Sequence, residues 1–272
     1  MTRPPLTRIG RLFDDLQKSG RKGLIAYLTV GDPSPERTPT LVEALVRGGA
    51  DLIELGVPFS DPIGDGPVIQ AAGERALKAG TTLARVLAVA AEIRKASQVP
   101  LLLFTYLNPV MRYGLDRLAQ DAAAAGIDGC LLIDASVEEA GDYVAAMHRH
   151  GLDTVFLATP TSTERRLKLV AQYSSGFVYL VSRTGVTGER DSLSNAVAPL
   201  VASMRAITGL PLAVGFGVSR SEHVTELGRQ VEAVVVGSAI VRLIERNAAN
   251  ASLEIQLESF VRELKHGLGA HA

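Results

Sequence analysis

LIELGVPFSDPIGDGP, residues 52–67, opens as a short apolar run, places one carboxylate (Glu54) inside that run, and ends in a loop carrying two more, Asp61 and Asp65. Leu and Ile suit a buried strand, while Gly56, Pro58, Pro62, Gly64, Gly66 and Pro67 then interrupt regular structure. A carboxylate in a buried strand is costly unless it has a partner or a task. The stretch therefore reads as one strand of a parallel sheet whose following loop does chemistry.

The same unit repeats outward in both directions. Apolar runs predict strands at Leu24 to Thr29, Asp51 to Leu55, Val99 to Thr105, Gly129 to Ile133, Asp153 to Leu157, Phe177 to Val181, Pro211 to Val214 and Ala233 to Val236. Between them lie helical patterns. One carries Leu41, Val42, Leu45 and Val46 on one face and ends at Gly48-Gly49, with Pro35 and Pro39 both able to open it. Val68 to Ala79, Leu83 to Ile93 and Leu115 to Ala125 follow, and Ser136-x-x-Glu139 and Thr161-x-x-Glu164 read as capping boxes. Val197, Leu200, Val201 and Met204 mark the next helix, and Leu257 to Leu264 the last. Ile9, Leu12, Phe13 and Leu16 predict an additional helix before the first strand.

Strands buried on both faces and joined through helices pair in parallel. Eight such units in 272 residues predict an α/β fold, a single (β/α)8 TIM barrel over residues 1–272 with an N-terminal extra helix and a short extra helix after strand 8. A doubly wound open sheet is the alternative, but no GxGxxG opens the first helix.

The composition excludes several functions. Net charge is −1 and the basic residues are dispersed, which argues against nucleic acid. No apolar run approaches the ~20 residues of a membrane span, and the N-terminus lacks the apolar core of a signal peptide. The single cysteine, Cys130, lies in the apolar run GCLLI, forbids a disulfide within the chain and reads as a buried thiol. A soluble protein of the cytoplasm is expected.

In a barrel the working face lies at the C-terminal ends of the strands. Strand alternation puts Glu54 with Leu52 and Ile53 with Leu55, so if the latter pair packs on helices, Glu54 points into the barrel mouth. Lost hydration there raises its pKa and suits it to proton transfer, although a Glu tied to a Lys or Arg would look the same in sequence. Asp61 and Asp65 precede Pro and Gly, as turn residues do, but with Glu54 they place three acids within twelve residues. No histidine pattern supports a metal: His148, His150, His223, His266 and His271 read as surface or structural.

Strand seven runs into Gly215-Phe216-Gly217 and strand eight into Gly237-Ser238-Ala239-Ile240, which opens the short extra helix. Unsatisfied N-terminal amides there, approached closely through glycine, form the recurrent phosphate site of this fold. The polar loop Ser182 to Ser192 is long enough for a lid. Phe104 and Tyr106 share one parity, Leu131 and Ile133 another, and Tyr179 sits at the end of strand six; inward-facing, they would wall a slot for a flat apolar substrate.

LTVGDP (Leu28 to Pro33), GADLIELGVPFSDPIGDGPVIQ (Gly49 to Gln70), TYLNPV (Thr105 to Val110), YLVSRTGVTG (Tyr179 to Gly188), GFGV (Gly215 to Val218) and GSAIV (Gly237 to Val241) occur in this order. With these motifs the sequence resembles the tryptophan synthase alpha chain family over nearly its whole length. The resemblance implies a lyase that cleaves indole-3-glycerol phosphate by a retro-aldol reaction to indole and glyceraldehyde 3-phosphate. It implies Glu54 as the acid/base and Asp65 as the partner of the indole N–H. It further implies Gly188, Gly217, Gly237 and Ser238 as phosphate-binding amides, Thr187 as a lid contact to Asp65, and Tyr27, Phe104, Tyr106, Leu131 and Tyr179 around the indole. Pro58 and Asp61 would face a beta chain in an alpha2beta2 heterotetramer. Pyridoxal phosphate is expected in that partner, with no cofactor or metal in this chain. Tyr27 stands where the family often has Phe, Gly64 where Ala is common, and Asp134-Ala135-Ser136 replaces a Pro-bearing turn. Two other readings remain open: another phosphate-binding barrel such as a phosphoribosyl isomerase, and a non-catalytic activating partner subunit.

Overall fold

The computed structural model describes residues 7–181, 197–215, 217–218 and 220–269. Eight strands close into a parallel barrel in chain order: β1 (Gly23–Thr29), β2 (Leu52–Gly56), β3 (Leu101–Thr105), β4 (Gly129–Leu132), β5 (Asp153–Ala158), β6 (Val178–Val181), β7 (Leu212–Gly215) and β8 (Ala233–Val236). β8 pairs back on β1 through Leu24 opposite Val234 and Ile25 opposite Val235. The expected strands are all present, with ends displaced by up to two residues.

The helices among the described residues are α1 (Arg8–Lys18), α2 (Thr38–Arg47), α3 (Pro67–Lys78), α4 (Leu83–Ala96), α5 (Leu107–Tyr113), α6 (Leu115–Ala124), α7 (Gly141–Arg149), α8 (Glu164–Tyr173), α9 (Val197–Arg205), α10 (Ser221–Gly228), α11 (Ser238–Asn247) and α12 (Leu253–Gly269). α1 is the expected N-terminal helix and α11 the extra helix after β8. α5 starts in the TYLNPV motif, runs past it to Tyr113, and shows no clear apolar stripe, because only Val110 of its seven residues is buried.

Both capping boxes are corrected. Ser136 makes no cap bond to the backbone; its hydroxyl turns to Glu138, a 3-10 turn spans Val137–Glu139, and α7 starts only at Gly141. Thr163 rather than Thr161 caps α8, accepting from Arg166 N, while Thr161 bonds to Thr159 in the preceding turn. In α2, Pro39 takes the early helical position.

Two apolar layers follow from strand alternation. Ile53, Leu55, Leu101 and Leu103 face the helices, whereas Ile25, Leu52, Leu102, Leu131, Val155 and Val235 fill the barrel. α1 closes the N-terminal end: its buried stripe Ile9, Phe13 and Leu16 joins the interior layer, and the Phe13 and Phe177 rings meet at 5.5 Å. Thr7 caps this helix by accepting from Gly10 N at 3.0 Å. With that end plugged, any site in the barrel must open at the C-terminal face.

Acidic and hydroxyl side chains lace the N-terminal end together. Asp51, just before β2, accepts from Leu24 N of β1 at 2.7 Å, and Asp128, just before β4, accepts from Leu101 N of β3 at 2.8 Å. Ser175, before β6, accepts from Thr154 N, and Glu232, before β8, accepts from Leu212 N. Each side chain satisfies the first or second amide of the neighbouring strand. Among the described residues no helix is long and apolar enough to cross a membrane.

Candidate active site

β2 carries Glu54 into the barrel, in register with Tyr27 on β1 and Leu102 on β3. The outward packing of Ile53 and Leu55 fixes that direction. Glu54 is 1% exposed, and its Oε1 has no hydrogen-bond partner. Burial pushes its pKa up to about 8, so it is protonated at neutral pH.

The loop after β2 folds back over the mouth and brings Asp65 to the same cavity. Val57 N donates to Phe104 O at 2.9 Å, Asp65 N to Pro62 O at 3.1 Å, and Gln70 of α3 donates to Asp65 O at 2.8 Å. Tyr106 secures the loop tip: its hydroxyl accepts from Gly64 N at 3.1 Å and donates to the Asp65 carboxylate. The other carboxylate oxygen, Oδ1, has no partner. Asp65 is 7% exposed; burial raises its pKa to about 6, against the lowering by the Tyr106 hydrogen bond.

A narrow cleft, open to solvent, is lined by Tyr27, Glu54, Asp65, Ile69, Phe104, Tyr179, Gly217, Val218, Val235, Gly237 and Ser238. Tyr27 and Phe104 meet edge to face at 5.3 Å, forming an apolar wall beside Glu54. The Tyr27 hydroxyl lies 3.3 Å from the Thr29 hydroxyl. The opposite wall is backbone. Gly217 has φ +83°, a conformation only glycine takes easily, and Gly237 precedes the first residue of α11 with no side chain capping the helix. The first amides of α11 are thus available to an anion.

Leu131 is fully buried in the barrel interior below the cleft, and Tyr106 packs behind Asp65 against Phe59 at 5.1 Å; neither lines the cavity. Pro58 is buried and Asp61 exposed. Thr187, Gly188 and the loop Ser182 to Ser192 lie outside the described residues. Sequence reasoning missed Ile69, Val218, Val235 and Gln70. Val235 was available from strand parity and Ile69 from the buried stripe of α3, which also holds Ala72 and Ala76; Gln70 acts through a backbone carbonyl, which leaves no pattern. Among the described residues no group of three His, Cys, Asp or Glu could hold a metal ion. Cys130 is buried, which pushes its thiol up to about 12.

The family model for the tryptophan synthase alpha chain matches residues 13–268. The chain belongs to the tryptophan synthase alpha chain family. It is 78% identical over 267 residues to a tryptophan synthase alpha chain of Solibacter usitatus, covering 98% of this chain and all of the relative. An alpha chain of Geobacter sulfurreducens is 46% identical over 264 residues, 97% of this chain and all of the relative. Among solved structures, tryptophan synthase of Mycobacterium tuberculosis aligns at TM-score 0.90 with 38% identity, over 97% of this chain and 99% of that one. The tryptophan synthase alpha subunit of Legionella pneumophila aligns at 0.89 with 33% identity, over 97% and 99%. The chain is accordingly a TIM-barrel lyase of tryptophan biosynthesis, with the alpha reaction as its activity. The isomerase and non-catalytic readings are set aside.

Proposed function

We propose that Glu54 and Asp65 divide the cleavage of indole-3-glycerol phosphate between them. Glu54, protonated at neutral pH, donates its proton to indole C3. The ring becomes an indolenine with positive charge at its nitrogen, and the Asp65 carboxylate holds the N–H and stabilises that charge. Glu54, now a carboxylate, takes the proton of the side-chain hydroxyl on the carbon attached to C3. The bond between C3 and that carbon breaks, its electrons restore the indole, and the side chain leaves as glyceraldehyde 3-phosphate. Glu54 ends protonated, as it began.

The observation that carries this reading is the pair of unpartnered buried oxygens, Glu54 Oε1 and Asp65 Oδ1, on one cleft whose far wall is glycine backbone. Tyr27, Phe104 and Tyr179 flank the indole, and the amides at Gly217, Gly237 and Ser238 take the phosphate. No cofactor is needed by these steps.

The partner in this proposal is a tryptophan synthase beta chain, in an alpha2beta2 assembly located in the cytoplasm, with pyridoxal phosphate held by the beta chain. An exposed apolar rim supports docking at the mouth. Ile63, 78% exposed on the Asp65 loop, and Met111, 63% exposed on α5, lie on the two segments that the Gly64 to Tyr106 hydrogen bond joins. Asp61 lies beside Ile63.

Glu54→Gln tests the assignment. Indole release should fall by roughly 10²- to 10⁴-fold, the usual weight of a general acid/base, while substrate still binds. Turnover near the wild-type rate would sink the proposal.

A further inference from the structure

The LTVGDP motif directly follows Tyr27, which lines the cleft, yet its Asp32 touches no part of it. Asp32 follows β1, is 2% exposed, and receives Arg75 through two bonds, Nε to Oδ1 at 2.8 Å and Nη2 to Oδ2 at 2.8 Å. The remaining Nη1 of the same guanidinium reaches Glu245 Oε1 at 2.7 Å. Arg75 belongs to α3, which follows the Asp65 loop and lends Ile69 to the cleft; Glu245 belongs to α11, whose first residue is Ser238. One side chain therefore joins the three segments that supply the apolar wall, the second acid and the phosphate amides. α11 packs directly on both α3 and β1.

We infer that the Asp32–Arg75–Glu245 bridge is a positioning device that holds the N-terminal amides of α11 in register with the Asp65 loop for binding a phosphate-bearing substrate. The inference rests on the phosphate reading of the Gly237-Ser238 cradle. A planar guanidinium can satisfy two carboxylates at fixed angles, which an ammonium cannot, so the bridge sets orientation as well as distance. Sites of this kind tolerate displacements of only about 0.5 Å. The outer half of α11 is largely solvent-facing at Glu245 and Arg246, so the link to Arg75 acts where packing is weakest.

The two ends of the bridge separate its role from bulk stability. Asp32→Asn strips a buried, doubly bonded carboxylate of its charge and lowers the melting temperature as well as binding. Glu245→Gln cuts only the link to α11 and keeps the Asp32–Arg75 pair. Inorganic phosphate titrated calorimetrically into the full-length chain, alongside steady-state indole release, reads the effect. Glu245→Gln should weaken phosphate binding and raise KM together by roughly threefold, in line with a part-exposed ion pair, with kcat within about twofold of wild type. Arg75→Lys should do the same, and Glu245→Asp should recover part of the loss. Glu36→Gln, which breaks the exposed pair with Arg85 elsewhere, should leave phosphate affinity unchanged. Phosphate binding by Glu245→Gln and Arg75→Lys equal to that of wild type would overturn the inference. Absence of phosphate binding by the wild-type chain would overturn the cradle reading, and the bridge with it.

Discussion

The two ends of the barrel both bury carboxylates and treat them in opposite ways. At the N-terminal end Asp128 is 4% exposed and has every oxygen engaged: Arg8 at 2.9 Å on Oδ1, Arg94 at 3.0 Å and Leu101 N at 2.8 Å on Oδ2. Asp153 accepts from Ser175 at 2.7 Å and from Thr7. At the C-terminal end Glu54 is buried more deeply, with one oxygen unpartnered and no cation beside it, and Asp65 keeps one oxygen open to the cleft. Satisfied acids stitch strands together, with the Thr7 and Ser175 hydrogen bonds opposing the rise that burial gives Asp153; burial pushes Glu54 up to about 8 and Asp65 to about 6. Strain of this second kind is retained where chemistry needs it.

Substitutions at the two ends should therefore move different quantities. The largest contrast is Glu54→Gln against Asp128→Asn. Glu54→Gln removes activity as stated above but should stabilise the chain in alkaline solution. Its folded pKa of about 8 lies above the 4.5 of an ordinary glutamate, so the folded state binds more protons between those values. Stability from this group is full below about 4.5 and is lost as pH rises through about 8. Above that pH the Gln variant gains on the order of a few kcal/mol over wild type in denaturant unfolding. Asp128→Asn should do the reverse. It leaves Arg94 and Arg8 without their counter-charge and costs about 3 kcal/mol of stability, with kcat per folded molecule unchanged.

Next in size is Tyr106→Phe. Without the phenol, Asp65 loses the hydrogen bond that holds its pKa down, and Gly64 N loses its acceptor. In wild type kcat/KM should fall below about pH 6, where Asp65 protonates, and above about pH 8, where Glu54 ionises. Tyr106→Phe should move only the acid limb, to higher pH, and lower kcat/KM near neutrality by roughly tenfold, the weight of a charge-assisted hydrogen bond. A pH profile with both limbs unmoved would detach Tyr106 from Asp65. The smallest effect belongs to Gly64→Ala. A Cβ there would sit 2.8 Å from Ile133 Cδ1, the far end of a flexible side chain, and 3.4 Å from the Tyr106 hydroxyl. Ile133 can swing away, so the variant should unfold within about 1 kcal/mol of wild type.

Much of this contrast was legible in the sequence, because it depends on period two. LIELG fixes Glu54 inward once Ile53 and Leu55 pack on helices, and the same alternation stacks Leu102 and Phe104 inside. Gly215, Gly217 and Gly237 after β7 and β8 were legible as breaks at the strand ends, and Gly217 takes a positive φ. The capping boxes failed because Ser136 and Thr161 had better local partners, Glu138 and Thr159. α5 escaped because a seven-residue helix with one buried position has no stripe to read. Tyr106 was expected to flank the substrate. Its role as the hydroxyl holding Asp65 needs the fold of the loop, which brings Gly64 and Tyr106 together across 42 positions. The acids of the N-terminal end were likewise invisible, since Asp51 and Leu24 meet only when adjacent strands pair.

The proposed chemistry stands on Glu54 carrying a proton at neutral pH. Infrared difference spectroscopy of the carboxyl C=O band, wild type minus Glu54→Gln, across pH 4 to 10 reads that proton directly. A protonated carboxyl should disappear with a midpoint near 8 and be missing in the variant. A Glu54 carboxyl already ionised by about pH 5, the ordinary range for a solvated glutamate, would contradict it.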